Sequence, residues 1–160
     1  MNKNKGFVFS EIFLILLYVG VMAVSLSTLV LLLHKTSSKN FELIKAEQLA
    51  VGLTEEILAR SWEEKLNPSE TLGIDSGEIE GDKTTFDDVD DFNNYIEAPP
   101  LNPSAQPMQG FSDFKRTAMV SYIKPGDEES SEKTELKKIT VSVYKKDKLL
   151  VVLKSLKGRH

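Results

Sequence analysis

From Ile12 to Leu33 the chain runs for about 22 residues without a charged side chain. As a helix rising about 1.5 Å per residue, that run covers about 33 Å, enough to cross the hydrocarbon core of a bilayer. Buried helices of soluble proteins rarely stay uncharged over such a length, so the segment is read as a membrane span. The basic stretch "MNKNK" ahead of it admits a rival reading, a secretory signal peptide with Ile12 to Met22 as its apolar region and Ala23-Val24-Ser25 as an approximate small-x-small cleavage site. Two features count against the rival. Glu11 interrupts the start of the apolar run, and the run continues for eight residues beyond Ser25 instead of turning polar. Lys3 and Lys5 on one flank balance Lys35 and Lys39 on the other, so charge bias alone does not orient the span.

Composition narrows the chemistry. With 160 residues, 41% hydrophobic and 28% charged, the chain suits one domain plus an appendage. Cysteine is absent, which removes disulfides, iron–sulfur clusters, thiolate zinc sites and a lipoprotein anchor from consideration. Two histidines, His34 and His160, leave little for a Ser-His-Asp triad or a histidine-rich metal site, and no phosphate-loop, dinucleotide or nucleophile-elbow motif occurs. No enzymatic activity is expected. The net charge of −4 disfavours nucleic acid, and loss of a leader carrying Lys3 and Lys5 would make the remainder more acidic still.

Gly6-Phe7, followed by Glu11 as the fifth residue counting from Phe7 at the head of a long apolar helix, resembles the processing signal of type IV prepilins and type II secretion pseudopilins. Gly20 also stands where many members carry a helical glycine, whereas Val8, Phe9 and Ser10 depart from the usual trio and Thr28 stands where a proline is frequent. The resemblance implies cleavage between Gly6 and Phe7 by a prepilin peptidase on the cytoplasmic side, and N-methylation of Phe7. It also implies pairing of Glu11 with the Phe7 amine of an adjacent subunit. Implied partners are other pilin or pseudopilin subunits through the helix, an inner-membrane assembly platform, and membrane lipid before assembly. The implied location is the bacterial inner membrane, single-pass with the N-terminus cytoplasmic and the C-terminal domain periplasmic, and then the filament. A hydrated Glu11 at headgroup level is the alternative to the pairing role.

Past the span, Leu43, Ala46, Ala50, Leu53 and Ile57 recur at spacings of three and four, the stripe of an amphipathic helix. One nearly continuous helix is expected from Phe7 to about Trp62. Residues 63–114, rich in Pro, Gly, Asn, Asp and Ser, read as a connecting region. Within it "FDDVDDF" predicts a docked turn with Phe86, Val89 and Phe92 facing the core and Asp87, Asp88, Asp90 and Asp91 facing outward. Those four acids are also the candidate calcium ligands, although their spacing does not match an EF-hand loop and an acidic surface turn is the commoner meaning of such a run. No other cofactor is expected. This acidic segment, together with "AEQLAVGLTEEILARSWEE", "LGIDSGE" and "LKKITVSV", is similar to a group of prepilin-like proteins that includes minor pilins of mannose-sensitive haemagglutinin pilus operons.

Alternation in Arg116–Ile123 places Ala118, Val120 and Tyr122 on one face, and in Leu136–Tyr144 it places Ile139, Val141 and Val143 on one face. With Leu149–Leu156 these predict a three-stranded antiparallel meander, joined by a solvated loop "KPGDEESSEKTE" and a tight turn at "YKKDKLL". Leu149–Leu153 is apolar at every position, so both of its faces are expected to be covered. The organisation expected is a leader (1–6), a transmembrane and assembly helix (7–33), its amphipathic continuation (34–62), the acidic connection (63–114) and the meander (115–160), with the head spanning 34–160. The fold class is α+β and pilin-like, with the lower half of the helix packed on a small antiparallel sheet. The function this implies is a structural, minor subunit of a type IV pilus or type II secretion pseudopilus. Two alternatives compete with it: a membrane-anchored periplasmic binding domain outside any filament, and a secreted soluble protein that has lost residues up to about Ser25.

Overall fold

A computed structural model describes residues 5–63, 71–126 and 128–159, with the side chains of 5–8 and 38 outside that description. The architecture is α+β: one long N-terminal helix and a C-terminal antiparallel sheet. Two compact units divide the chain, Met1–Glu42 and Leu43–His160.

Helix α1 spans Lys5–Leu58. No proline lies within it to remove a backbone donor, so the i to i−4 ladder runs unbroken. In the second unit its buried stripe is Ala46, Leu49, Ala50, Leu53 and Ile57. Leu49 takes the place expected of Leu43, which stays exposed. The helix also ends one turn short of Trp62. The carbonyl of its last residue, which lacks a partner within the helix, is taken by a side chain from the sheet: the Lys157 ammonium donates to the Leu58 carbonyl at 2.9 Å and also to the Arg60 carbonyl just past the helix end. Freed from the helix, Trp62 is buried beside Tyr122 and under the Lys137 ammonium.

The sheet has strands β1 (Tyr95–Glu97), β2 (Phe114–Lys124), β3 (Glu128–Ser130), β4 (Leu136–Lys145) and β5 (Lys148–Gly158). Its order is β1-β2-β4-β5, with β3 also pairing with β2, every pairing antiparallel. Two elements beyond the three-strand expectation are therefore present: β1 in the connecting region and β3 inside the loop read as solvated. Lys146 and Asp147, both with positive φ (46° and 63°), form the two-residue β4–β5 turn, matching the right-handed twist of the strands. Ala118, Val120, Ile139, Val141 and Val143 line the inner face and pack on the helix stripe and on Phe86, Val89 and Phe92. Covering of both faces of β5 is not found. Val151 and Leu153 pack on the core, while Leu149, Val152 and Leu156 are exposed, because the helix covers only one side of the sheet.

Candidate functional site

In the unit Met1–Glu42, every large apolar side chain from Phe9 to Leu33 is between 51% and 76% exposed. The helix is long and apolar enough to cross a membrane. The hydroxyls that interrupt it are satisfied internally: Ser25, Ser27, Thr28 and Thr36 donate to the carbonyls of Val21, Ala23, Val24 and Leu32 at 2.8–3.0 Å. Such i to i−4 bonds remove the cost of placing a hydroxyl in hydrocarbon. Glu11 is the sole charged residue between Phe9 and Leu33; it is exposed and has no ion-pair partner among the described residues. Gly6 and Phe7 lie within α1, but the Phe7 side chain, like residues 1–4, lies outside the described residues.

In the second unit the acidic segment is the most constrained stretch. Phe86, Val89 and Phe92 are buried as expected of a docked turn, and Phe86, Phe92 and Tyr95 form three edge-to-face pairs with centroids 5.0–5.5 Å apart. The outward direction expected of the acids is corrected: Asp88, Asp90 and Asp91 are buried and only Asp87 is exposed. The reason is local. The tight turn and the 3-10 helix Asp90–Phe92 leave backbone amides without partners, and the short Asp side chains fill that need. Asp88 Oδ1 accepts the Asp90 amide at 2.6 Å, and Asp91 Oδ2 accepts those of Asp87 and Asp88 at 3.0 and 2.9 Å.

The four acids therefore do not form one ligand set. Asp90 pairs with the buried Lys137 ammonium at 2.6 Å, which also donates to the Trp62 carbonyl and lies 3.7 Å from the Trp62 ring centre. Asp87 and Asp91 instead meet Glu78, one oxygen from each of the three lying within 4.8 Å of the others. Glu78 accepts the amides of Asp75 (2.9 Å) and Asp87 (3.2 Å). Burial, reinforced by the Asp90 charge, pushes the Asp88 carboxyl up to about 6. Burial first, and then the Glu78 carboxyl within hydrogen-bonding reach, pushes Asp91 up to about 8. For Asp90, burial raises the value against the opposing pull of Lys137.

A second buried network centres on Glu97. Its Oε1 meets Lys83 at 3.0 Å and accepts the Tyr95 hydroxyl at 3.2 Å, while Oε2 accepts Arg116 Nε at 2.7 Å and the Leu101 amide at 3.0 Å. Lys83 also pairs with Glu56 at 2.8 Å, and Arg116 donates to the carbonyls of Leu49 and Leu101 at 3.1 and 2.7 Å. Helix, connecting region, β1 and β2 are thereby clamped at one point. Lys83, Glu97, Arg116, Lys137 and Glu78 were absent from the sequence-derived candidates. One signal was available for two of them: Arg116 is in phase with Ala118, Val120 and Tyr122, and Lys137 with Ile139, Val141 and Val143, so each points inward.

Comparison with protein-family models, with curated proteins and with solved structures returned no match to the chain.

Proposed function

We propose that the chain is a structural, minor subunit of a type IV pilin-like filament, either a pilus or a secretion pseudopilus. The observation that carries this reading is the first unit's apolar surface, uncovered from Phe9 to Leu33 and bearing one carboxylate, Glu11, near its start. In this reading the helix sits in the inner membrane after cleavage behind Gly6, with the head on the periplasmic side. Assembly then exchanges lipid contacts for contacts with the helices of neighbouring subunits. Dispersion packing differs little between those two apolar environments, so a charge pair in low dielectric has a disproportionate influence on register. Glu11 would supply the anion and the Phe7 amine of the next subunit the cation. No step in this scheme requires catalysis by the subunit itself.

The N-terminus of the mature protein tests the proposal. Intact-mass measurement of membrane-extracted protein is expected to show a chain starting at methylated Phe7. A start near Leu26 would identify a secreted protein, and an unprocessed Met1 a plain membrane anchor. In cells, Glu11→Ala is expected to leave the protein in the membrane and abolish its appearance in sheared filaments. Normal incorporation of that variant would overturn the pairing role.

A further inference from the structure

We propose that Glu78, Asp87 and Asp91 hold a calcium ion, which fastens the outer connecting region to the head. Charge bookkeeping in the head motivates this. Of the other three most enclosed acids, Glu97 meets Lys83 and Arg116 and Asp90 meets Lys137, while Asp88, which also lacks a cationic partner among the described residues, accepts the Asp90 amide. Asp91 is equally enclosed at 2% exposure, yet it has no cationic partner among the described residues. Its Oδ2 is occupied by two backbone amides, and Oδ1 accepts no hydrogen bond. The side chain that reaches the Asp91 carboxyl is the Glu78 carboxylate, another acceptor, so a shared proton or a cation has to sit between the two. Leaving a buried carboxylate oxygen without a partner costs its full desolvation, so native proteins seldom do so.

The surroundings of the Asp91 carboxyl point to a cation. Two further carboxylates converge on Asp91 instead of turning away from it, and neither Glu78 nor Asp87 has an ion-pair partner among the described residues. Ligand atoms within 4.8 Å of one another fit inside a calcium shell, whose diameter at about 2.3–2.6 Å per bond is about 4.6–5.2 Å. Magnesium, at about 2.0–2.1 Å and with strict octahedral demands, suits the arrangement less well. Asp91 also borders a cleft of about 210 Å³ lined by Ile74, Glu80, Phe86, Asn94 and Tyr95, which has room for the waters that would complete a shell of six to eight oxygens. The site differs from the run of four aspartates suggested by the sequence. Two of those, Asp88 and Asp90, are engaged with a backbone amide and with Lys137, and Glu78 arrives from nine residues upstream of Asp87. The inference does not depend on the filament reading.

The full chain in detergent micelles, stripped with EDTA and dialysed, is titrated with calcium chloride by calorimetry while head unfolding is followed through Trp62 fluorescence. One calcium per chain and an upward shift of the melting midpoint by several degrees are expected, with magnesium giving a smaller shift. Asp87→Asn, at an exposed position, is expected to weaken calcium binding at least tenfold without lowering the calcium-free midpoint, and Asp91→Asn to abolish binding. Asp113→Asn, an exposed acid outside the cluster, is expected to change nothing. Absence of binding at millimolar calcium overturns the proposal, as does binding that Asp87→Asn and Glu78→Gln leave intact. Those two variants decide the question even if Asp91→Asn fails to fold.

Discussion

The two ends of this molecule treat carboxylates in opposite ways. In the first unit an apolar helix leaves its large side chains exposed and carries one acid, Glu11, with no ion-pair partner among the described residues; in the second, a polar, acidic stretch buries three aspartates alongside Phe86 and Phe92. A side chain's character therefore does not decide its environment by itself. What decides it is whether partners can reach it. Along Phe9–Leu33 the large apolar side chains stay exposed, whereas around Asp90 and Glu97 the folded head brings Lys137, Lys83 and Arg116 into place.

Removing a partner from the compensated end should have the largest effect. Glu97→Ala strands Lys83 and Arg116 in the core and is expected to destabilise the head by about 3–5 kcal/mol, read from denaturant unfolding of the detergent-solubilised chain. A matched pair of leucine truncations sharpens the contrast. Leu53→Ala, in the packed stripe, is expected to cost about 2–5 kcal/mol. Leu26→Ala, in the uncovered half, should change head stability by less than about 0.5 kcal/mol, and a loss comparable to that of Leu53→Ala would break the distinction drawn between the units.

A gain is expected where backbone geometry conflicts with residue type. Lys146→Asn with Asp147→Gly suits the two positive φ values, and the ion pairs given up among the described residues, to Asp113 and Lys115, are exposed, so stability should rise by about 1 kcal/mol. The smallest effect concerns acid sensitivity. A hydrogen bond from Lys133 holds the Glu63 carboxyl below its ordinary value, with Lys133 and Arg159 charges assisting. Its contribution is complete above the unfolded carboxylate value and is lost as pH falls through the lower folded value. Glu63→Gln should accordingly lose slightly less stability than the parent between pH 6 and 3; an identical pH profile would show that the pair contributes nothing.

Much of the fold could be read from periodicity. The helix, its stripe from Ala46 to Ile57, and the inward residues of β2 and β4 follow from spacings of three to four and of two, because one covered face imposes those periods. The acidic segment was legible only in its apolar half. Phe86, Val89 and Phe92 announce a docked turn, but nothing in "FDDVDDF" reveals that the acids between them satisfy backbone amides. Glu78 could not be paired with Asp91 from sequence, since a turn-rich stretch separates them. The helix end was placed too late because its cap, Lys157, comes from the opposite end of the chain.

By itself, then, the sequence determined the elements and the environment each one needs: an apolar run that must be covered by lipid or by other chains, an amphipathic continuation, and alternating strands. Those are local properties, set by which side chains recur at which period. Only the tertiary structure decided which charges compensate one another, where the helix stops, and that three aspartates turn inward. Such outcomes depend on groups from distant parts of the chain meeting in a low-dielectric interior, where an unpartnered charge is costly and a well-placed one fixes the arrangement.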